Sequence, residues 1–136
     1  MLPAIEELVP HRAPMLWLDA LTDFSDTTAT ATACFNEGSF SVADGTVLET
    51  ALVECMAQTV AAALGQRVRA SGKTGVANNG VLAAVSNFKI LSRPPIGRTI
   101  TIEIRELKRF GLMLLIAGKI SCDGQLIASG ELSLYA

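Results

Sequence analysis

One carboxylate and one imidazole offer the clearest chemistry in this sequence. Glu54 lies in a proline-free, alanine-rich segment in which Thr50, Glu54 and Gln58 are the few polar positions. Their four-residue spacing places them on one face of a helix. A carboxylate on such a helix can act as a general acid or base, or it can simply lie on an exposed strip. His11 is the only histidine, so any imidazole base must be His11.

Composition excludes several classes of protein. Half of the residues are hydrophobic and 18% are charged, which is too apolar for intrinsic disorder. The formal net charge of −2 argues against a nucleic-acid binder. The three cysteines are odd in number, widely spaced and not in Cys-x-x-Cys form, and there is one histidine. We therefore expect neither a disulfide framework nor a metal site.

Length and hydrophobic runs set the expected organisation. The 136 residues fit one domain, 1–136, without room for a separate cofactor domain, so no cofactor is expected. No apolar run approaches the roughly 18–20 residues that a membrane helix needs. The first residues lack the basic and apolar regions of a signal peptide. The sequence thus predicts a cytoplasmic protein with no membrane partner.

Hydrophobic periodicity predicts one long helix among strands. Thr46 and Glu49 have the spacing of a capping box, so the helix is expected to run from there to about Arg69. Its apolar residues run nearly all round it, which is typical of a buried helix. Strands are expected at Met15–Ala20, Thr27–Cys34, Val81–Leu91, Thr99–Leu107, Leu112–Cys122 and Gln125–Tyr135.

The order of these elements indicates an α+β fold. Asp123-Gly124 is a strong hairpin signal between the last two strands, whereas Asn78-Asn79-Gly80 indicates a turn after the helix. A long central helix wrapped by a curved antiparallel sheet of five to six strands satisfies this order.

Motifs that span nearly the whole chain support that fold. The run Val9–Asp19 (V-P-H-R-A-P-M-L-W-L-D) resembles the P-H-R-x-P-x-L-x-x-D signature of FabZ-type 3-hydroxyacyl-[acyl carrier protein] dehydratases. Leu52–Gln58 (L-V-E-C-M-A-Q) resembles that family's helix motif L-x-E-x-M-A-Q. Asn87–Lys89, Arg93–Gly97 and Asp123–Ala128 resemble its later strand motifs. The run from Asp44-Gly45 to the helix motif is similar to ApeP-like predicted dehydratases associated with aryl-polyene clusters. The resemblance implies a single hotdog domain.

One departure from the family pattern bears on the mechanism. In FabZ-type enzymes, a G-H-F-P segment before the helix supplies the catalytic histidine. Here the corresponding stretch is Glu37-Gly38-Ser39-Phe40-Ser41, with a serine in place of that histidine. The resemblance therefore carries over the fold, but it does not carry over the usual mechanism.

The resemblance and the residues together suggest a site. The family resemblance gives Glu54 the acid/base role, and His11 is either its catalytic partner or a packed structural residue. Gln58 is expected to orient Glu54 or the leaving hydroxyl group, and Ser39 to fill the space of the missing histidine. Both are candidate substrate-binding residues, together with Gly45 and Thr46. Backbone amides from Gly45 through Thr46 to Val47 are candidates for an oxyanion site before the helix. Arg12 is expected to pair with a carboxylate such as Asp19.

Three functions remain open from the sequence. The first is dehydration of a 3-hydroxyacyl thioester, carried by an acyl carrier protein, to the trans-2-enoyl thioester. The second is hydrolysis by a hotdog thioesterase that uses Glu54 alone, and the third is a catalytically silent acyl-binding subunit of a dehydratase complex. A homodimer or a higher homo-oligomer is expected because an unpaired strand edge would promote aggregation. Lys89, Arg93 and Arg98 are candidate contacts for the acidic carrier protein.

Overall fold

A long helix lies against a single large antiparallel sheet. The structure is a computed structural model that describes residues 2–39, 41–72 and 81–135. After a 3-10 turn at Ile5–Glu7, the chain forms strands β1 (Leu18–Phe24) and β2 (Thr28–Cys34), then the short strands β3 (Val42–Ala43) and β4 (Thr46–Val47). Helix α1 (Glu49–Ala70) follows, and then strands β5 (Val81–Ile90), β6 (Thr99–Phe110), β7 (Met113–Cys122) and β8 (Gln125–Tyr135).

Six strands form one antiparallel sheet in the order β1-β2-β6-β7-β8-β5. Strands β3 and β4 form a separate hairpin just before α1. The predicted α+β hotdog architecture is therefore confirmed, with six strands in the sheet. The predicted turn at Asn78-Asn79-Gly80 lies outside the described residues.

The core lies between α1 and one face of this sheet. Alternate residues of β2 and β6 are buried, namely Ala29, Ala31, Ala33, Ile100, Ile102 and Ile104. Because β2 pairs with β6 in register, these small and branched side chains form neighbouring rows beneath the helix. The alternation predicted for both strands is confirmed. Within the described residues, no helix is long and apolar enough to cross a bilayer.

The predicted capping box is wrong. Helix α1 begins at Glu49, and its N-cap residue Leu48 makes no side-chain cap. Thr46 belongs to β4 instead, where its hydroxyl donates to the Ala43 carbonyl at 3.0 Å. The Val47 and Leu48 amides donate to the carbonyls of Pro94 and Ser41. The helix therefore starts two residues later than predicted, with Leu48 rather than Thr46 as its N-cap, because Thr46 and Val47 belong to the preceding hairpin.

The first strand also begins later than predicted. The sequence places it at Met15–Ala20, but β1 starts at Leu18. The carbonyl of Met15 and the amide of Trp17 both bond to the Gln58 side chain rather than to a neighbouring strand. The apolar run resembles a strand in a local pattern, and that pattern does not reveal the distant partner Gln58.

Gly65 marks the closest approach of α1 to the N-terminal segment. A Cβ atom at Gly65 would lie 2.0 Å from the backbone oxygen of Leu8, whereas at Gly118 it would lie 2.8 Å from the flexible Met56 sulfur. Alanine stabilises an unhindered helix by about 1 kcal/mol relative to glycine. Here the backbone clash outweighs that gain, since overpacking costs about 1–3 kcal/mol.

We expect Gly65→Ala to lower the free energy of unfolding by about 2 kcal/mol or more, because the Leu8 backbone must move. The matched change Gly118→Ala is expected to cost less, because only the Met56 side chain must adjust. Urea denaturation of both variants measures the two costs. A Gly65→Ala protein as stable as the wild type would contradict the close approach.

Candidate functional site

Helix α1 presents Glu54 at the surface of an otherwise buried face. The neighbouring residues Cys55 and Met56 are fully buried, whereas the Glu54 side chain is 36% exposed. Gln58, one turn further on, has no exposed surface. The predicted polar face, Thr50, Glu54 and Gln58, thus runs from solvent into the core, and Glu54 lies at the boundary between them.

His11 lies beside Glu54. Its Nε2 atom is 3.6 Å from Glu54 Oε2, and 31% of its side chain is exposed. Its Nδ1 atom is buried without a hydrogen-bond partner among the described residues. The structure therefore brings together the two residues that the sequence named as possible acid and base, although they come from distant parts of the chain.

Gln58 fixes the orientation of the Glu54 carboxylate. Its amide nitrogen donates to Glu54 Oε2 at 3.0 Å and to the Met15 carbonyl at 2.8 Å. Its amide oxygen accepts from the Trp17 backbone N–H at 3.0 Å. Because both ends of the amide are engaged, one side chain holds Glu54 and the segment before β1 in a defined relation.

Arg12 shapes the segment that carries His11. Its guanidinium donates to three backbone carbonyls, those of Val9 at 2.8 Å, His11 at 2.7 Å and Glu6 at 3.0 Å. The predicted pairing of Arg12 with Asp19 is therefore wrong. Irregular backbone leaves carbonyl groups without helix or strand partners, and the planar guanidinium satisfies several of them at once.

Asp19 is held by the backbone instead. Burial raises the pKa of this carboxyl group, and a hydrogen bond from the Cys34 backbone lowers it again in part. Near it, Trp17 packs its ring 5.6 Å from that of Phe35, and its indole N–H donates to the Pro14 carbonyl. Sequence reasoning gave Trp17 no role, and only the aromatic type of the residue could have drawn attention to it.

The three other predicted site residues bond to groups outside the Glu54 cluster. Ser39 accepts the Asn36 amide through its hydroxyl oxygen, the Gly45 carbonyl accepts the Ile96 amide, and Thr46 bonds to Ala43 as described above. Within the described ranges, none of the three bonds to Glu54, His11 or Gln58. Their contact with substrate remains a prediction.

Val47 cannot serve in the predicted oxyanion site in this arrangement. Its amide donates to the Pro94 carbonyl at 2.9 Å, so the hydrogen atom is already engaged. Asp44 and Gly45 form the turn between β3 and β4, and both have positive φ.

Cys55 belongs to the core. It is fully buried, and burial, reinforced by the charges of Glu54 and Asp19, raises the pKa of its thiol. A protonated thiol is a poor nucleophile. Across 2–39, 41–72 and 81–135, no group of three or more His, Cys, Asp and Glu side chains could hold a metal ion.

Three solved structures with the same fold have names that describe different proteins. The chain is 22% identical to the dehydratase heterocomplex ApeI:P from Xenorhabdus doucetiae, with a TM-score of 0.89, covering 99% of this chain and 91% of that chain. It is 16% identical to an HP0420 homologue from Helicobacter felis, with a TM-score of 0.74 and coverages of 98% and 89%. These likenesses establish the fold.

The third structure is a hypothetical thioesterase with coenzyme A from Streptococcus pneumoniae TIGR4. It is 12% identical to this chain, with a TM-score of 0.68, covering 85% of this chain and 86% of that chain. Hotdog proteins described as dehydratases and as thioesterases thus share this architecture. No curated protein matches the sequence.

The family comparison is more specific than the fold. A family model described as ApeP dehydratase matches residues 3–136, which include the His11 and Glu54 segments and every element of the sheet. This chain therefore belongs to the ApeP-like family.

Proposed function

We propose that this protein dehydrates a 3-hydroxyacyl thioester, carried by an acyl carrier protein, to the trans-2-enoyl thioester. Glu54 and His11 are the acid/base pair of the proposed reaction. The observation that carries the proposal is their approach to 3.6 Å, with both side chains about one third exposed. Each group can exchange protons with solvent or with a bound molecule, which an entirely buried pair could not do.

The reaction needs one base and one acid. The base removes a proton from the carbon next to the thioester carbonyl, and the acid protonates the hydroxyl group as the C–O bond breaks. A C=C bond forms and one water leaves. If one member of the pair starts deprotonated and the other protonated, a proton passed back from one to the other restores the starting state. A separation of 3.6 Å allows this exchange after a small side-chain rotation.

Gln58 supports the proposal by limiting the orientations of Glu54. Its amide N–H donates to Oε2, the same carboxylate oxygen that faces His11. The carboxylate is thereby held with one oxygen near the imidazole, and little reorganisation is needed when substrate binds. We assign Gln58 an orienting role towards Glu54. Its two amide hydrogens and its oxygen are already engaged within the chain, so the expected contact with the leaving hydroxyl group is not part of the proposal.

Substrate contacts are proposed on the hairpin before α1. Gly45 and Thr46 precede the helix N-terminus, where backbone amides and the helix dipole favour developing negative charge. Ser39, in the loop before this hairpin, is proposed to contact the acyl group where FabZ-type enzymes carry their histidine. Its hydroxyl oxygen already accepts one amide, and it retains a hydrogen atom to donate.

A second copy of the chain is proposed to pair along β5. This strand lies at the edge of the sheet and carries exposed apolar side chains, Leu82 and Val85 among them. Pairing would satisfy the open backbone groups of the edge and cover these side chains. A homodimer, or a higher homo-oligomer built from it, is the proposed assembly, and a cytoplasmic location remains a prediction.

The proposed contacts for the acidic carrier protein differ in availability. Arg93 already pairs with Glu49 at 3.1 Å, and Arg98 pairs with Asp123. Lys89 forms no ion pair with the rest of the described chain. Lys89 is therefore the readiest of the three to meet an acidic partner, although all three remain proposals.

Two alternative functions each have a supporting observation. Ser39 bonds within its own loop and cannot replace a histidine base, which favours a catalytically silent subunit that binds acyl chains. The ApeI:P structure, a heterocomplex, offers a precedent for such a partnership. An acyl thioesterase would need only the Glu54 carboxylate, and the S. pneumoniae neighbour is described as a thioesterase.

Intact-mass analysis of a 3-hydroxyacyl carrier protein distinguishes these functions. We expect the wild type to remove one water, and Glu54→Gln or His11→Asn to lower the rate at least ~100-fold, because general acid–base groups contribute about that much or more. Glu103→Gln, a matched change of an exposed carboxylate on β6, is expected to leave the rate unchanged.

The other outcomes contradict the proposal in distinguishable ways. Release of the acyl group, lost in Glu54→Gln, would identify a thioesterase. An unchanged thioester across several chain lengths, with the acyl carrier protein retained in a pull-down, would identify a silent binding subunit.

Gln58→Met tests the orienting residue. The change leaves the Trp17 N–H and the Met15 carbonyl without their partner, so we expect a loss of about 2–4 kcal/mol in the free energy of unfolding. Thr59→Val is the matched control, since this buried hydroxyl bonds only within the helix, to Cys55, and should cost about 1 kcal/mol or less. Urea denaturation measures both, and equal costs would argue against the role given to Gln58.

A further inference from the structure

We propose that the hairpin end between β6 and β7 docks on an anionic lipid surface. The two strands are joined by the two-residue turn Gly111-Leu112, with Gly111 at a φ of +55°. Three large apolar side chains near this turn are exposed: Leu107 by 43%, Phe110 by 60% and Leu112 by 71%. Leu112 is the most exposed of the large apolar side chains in the described chain. We call residues 105–113 the apolar tip.

The turn itself does not require apolar residues. The next hairpin, between β7 and β8, has a turn of the same length, Asp123-Gly124, and it is polar. The turn between β1 and β2 is also polar, with Ser25, Asp26 and Thr27. Turn positions normally carry polar residues because they face water. The apolar tip therefore departs from the other turns of the same sheet, and solvent exposure alone does not account for it.

Basic residues lie among the apolar ones in the tip. The tip contains Arg105, Lys108 and Arg109 against a single acidic residue, Glu106. Glu106 is shared between two arginines, since its carboxylate lies 3.2 Å from Arg109 Nε and 3.8 Å from an Arg67 nitrogen on α1. The β1–β2 turn adjoins the tip, since the Thr27 carbonyl accepts the Glu106 amide, and it adds the acidic residue Asp26. Four basic residues, Arg67 included, then lie near two acidic ones, so the surface around the tip favours an anionic partner.

Charged and apolar side chains lie next to each other at the tip, as at a bilayer surface. Lys108 Nζ lies 4.6 Å from the centre of the Phe110 ring, so the charge and the apolar ring are adjacent. A lysine next to an exposed aromatic ring can meet a lipid phosphate while the apolar side chains of the same turn enter the acyl-chain boundary. Phe110 also continues across the sheet to Met113 and then to Tyr135, which is 48% exposed. Tyrosine is enriched at the boundary between lipid and water.

The shape favours a bilayer over a protein partner. The apolar tip is a projecting turn, and a protein would need a matching cavity to cover it, whereas a bilayer surface admits a protruding hairpin without one. The sequence prediction of no membrane partner rested on the missing apolar run, which a surface-docked turn does not need. The tip adjoins Arg67, which lies roughly 20 Å along α1 from Glu54, so docking there leaves the Glu54 site uncovered.

Vesicle flotation with the full chain tests this proposal without relying on any catalytic activity. We expect the wild type to float with phosphatidylcholine vesicles that contain about 30% phosphatidylglycerol. It should bind far less to vesicles of pure phosphatidylcholine. Binding should fall at least ~10-fold in the double variant Phe110→Ser/Leu112→Ser. Binding of the wild type should fall by a similar factor in about 0.5 M salt, because salt screens the attraction between the basic side chains and the anionic lipid. Leu126→Ser is the matched control, because Leu126 is 47% exposed but lies outside the tip, and it should leave binding unchanged.

Three results would overturn the proposal. They are no binding of the wild type to anionic vesicles, equal binding of the double variant, and equal loss in Leu126→Ser. Size-exclusion chromatography of the double variant completes the test. If the double variant forms a smaller assembly than the wild type, and the wild type does not bind vesicles, the tip would instead form contacts between copies of this chain. Thermal unfolding of each variant confirms that it is folded, and Lys108→Glu provides a second loss-of-binding variant that alters only a surface charge.

Discussion

Gln58 has no exposed surface, and its single carboxamide joins two parts of the chain that would otherwise be independent. One end accepts the Trp17 amide, and the other donates to the Met15 carbonyl and to Glu54. A buried amide left without partners would be costly, so the segment before β1 must follow the helix closely. The position of His11 depends on this link, because Arg12 then organises the backbone on the N-terminal side of the same segment. The site is thus assembled by hydrogen bonds to irregular backbone, while the sheet supplies a rigid support.

That support is made of small and branched side chains in register. Alanines of β2 lie beside isoleucines of β6, and Gly65 allows α1 to approach Leu8 closely. The turns of the same sheet differ in chemistry, since those between β1 and β2 and between β7 and β8 are polar, whereas the turn between β6 and β7 is apolar.

Much of the fold could be predicted from local patterns. The alternation of Thr28–Cys34 and of the isoleucines in β6, the Asp123-Gly124 turn and the long α1 all depend on residues close in sequence. The wrong predictions occur where a residue distant in sequence determines the local structure. Thr46 has the right spacing for a cap, but the β3–β4 hairpin takes it, and Met15–Trp17 is apolar enough for a strand, but Gln58 binds its backbone. Motif resemblance pointed to Glu54 and His11 individually. Their separation of 3.6 Å, and the bonds of Arg12 to carbonyl groups rather than to Asp19, required the three-dimensional arrangement.

The central claim is that Glu54 and His11 act as one unit, and a double-mutant cycle on the dehydration rate tests it most directly. The four proteins are the wild type, Glu54→Gln, His11→Asn and the double variant. If the pair shares one proton-transfer task, the second substitution should add little to the first, and the double variant should be no more than ~3-fold slower than either single variant. Multiplying effects, or a rate that is insensitive to His11, would contradict the account and leave Glu54 to act without its neighbour.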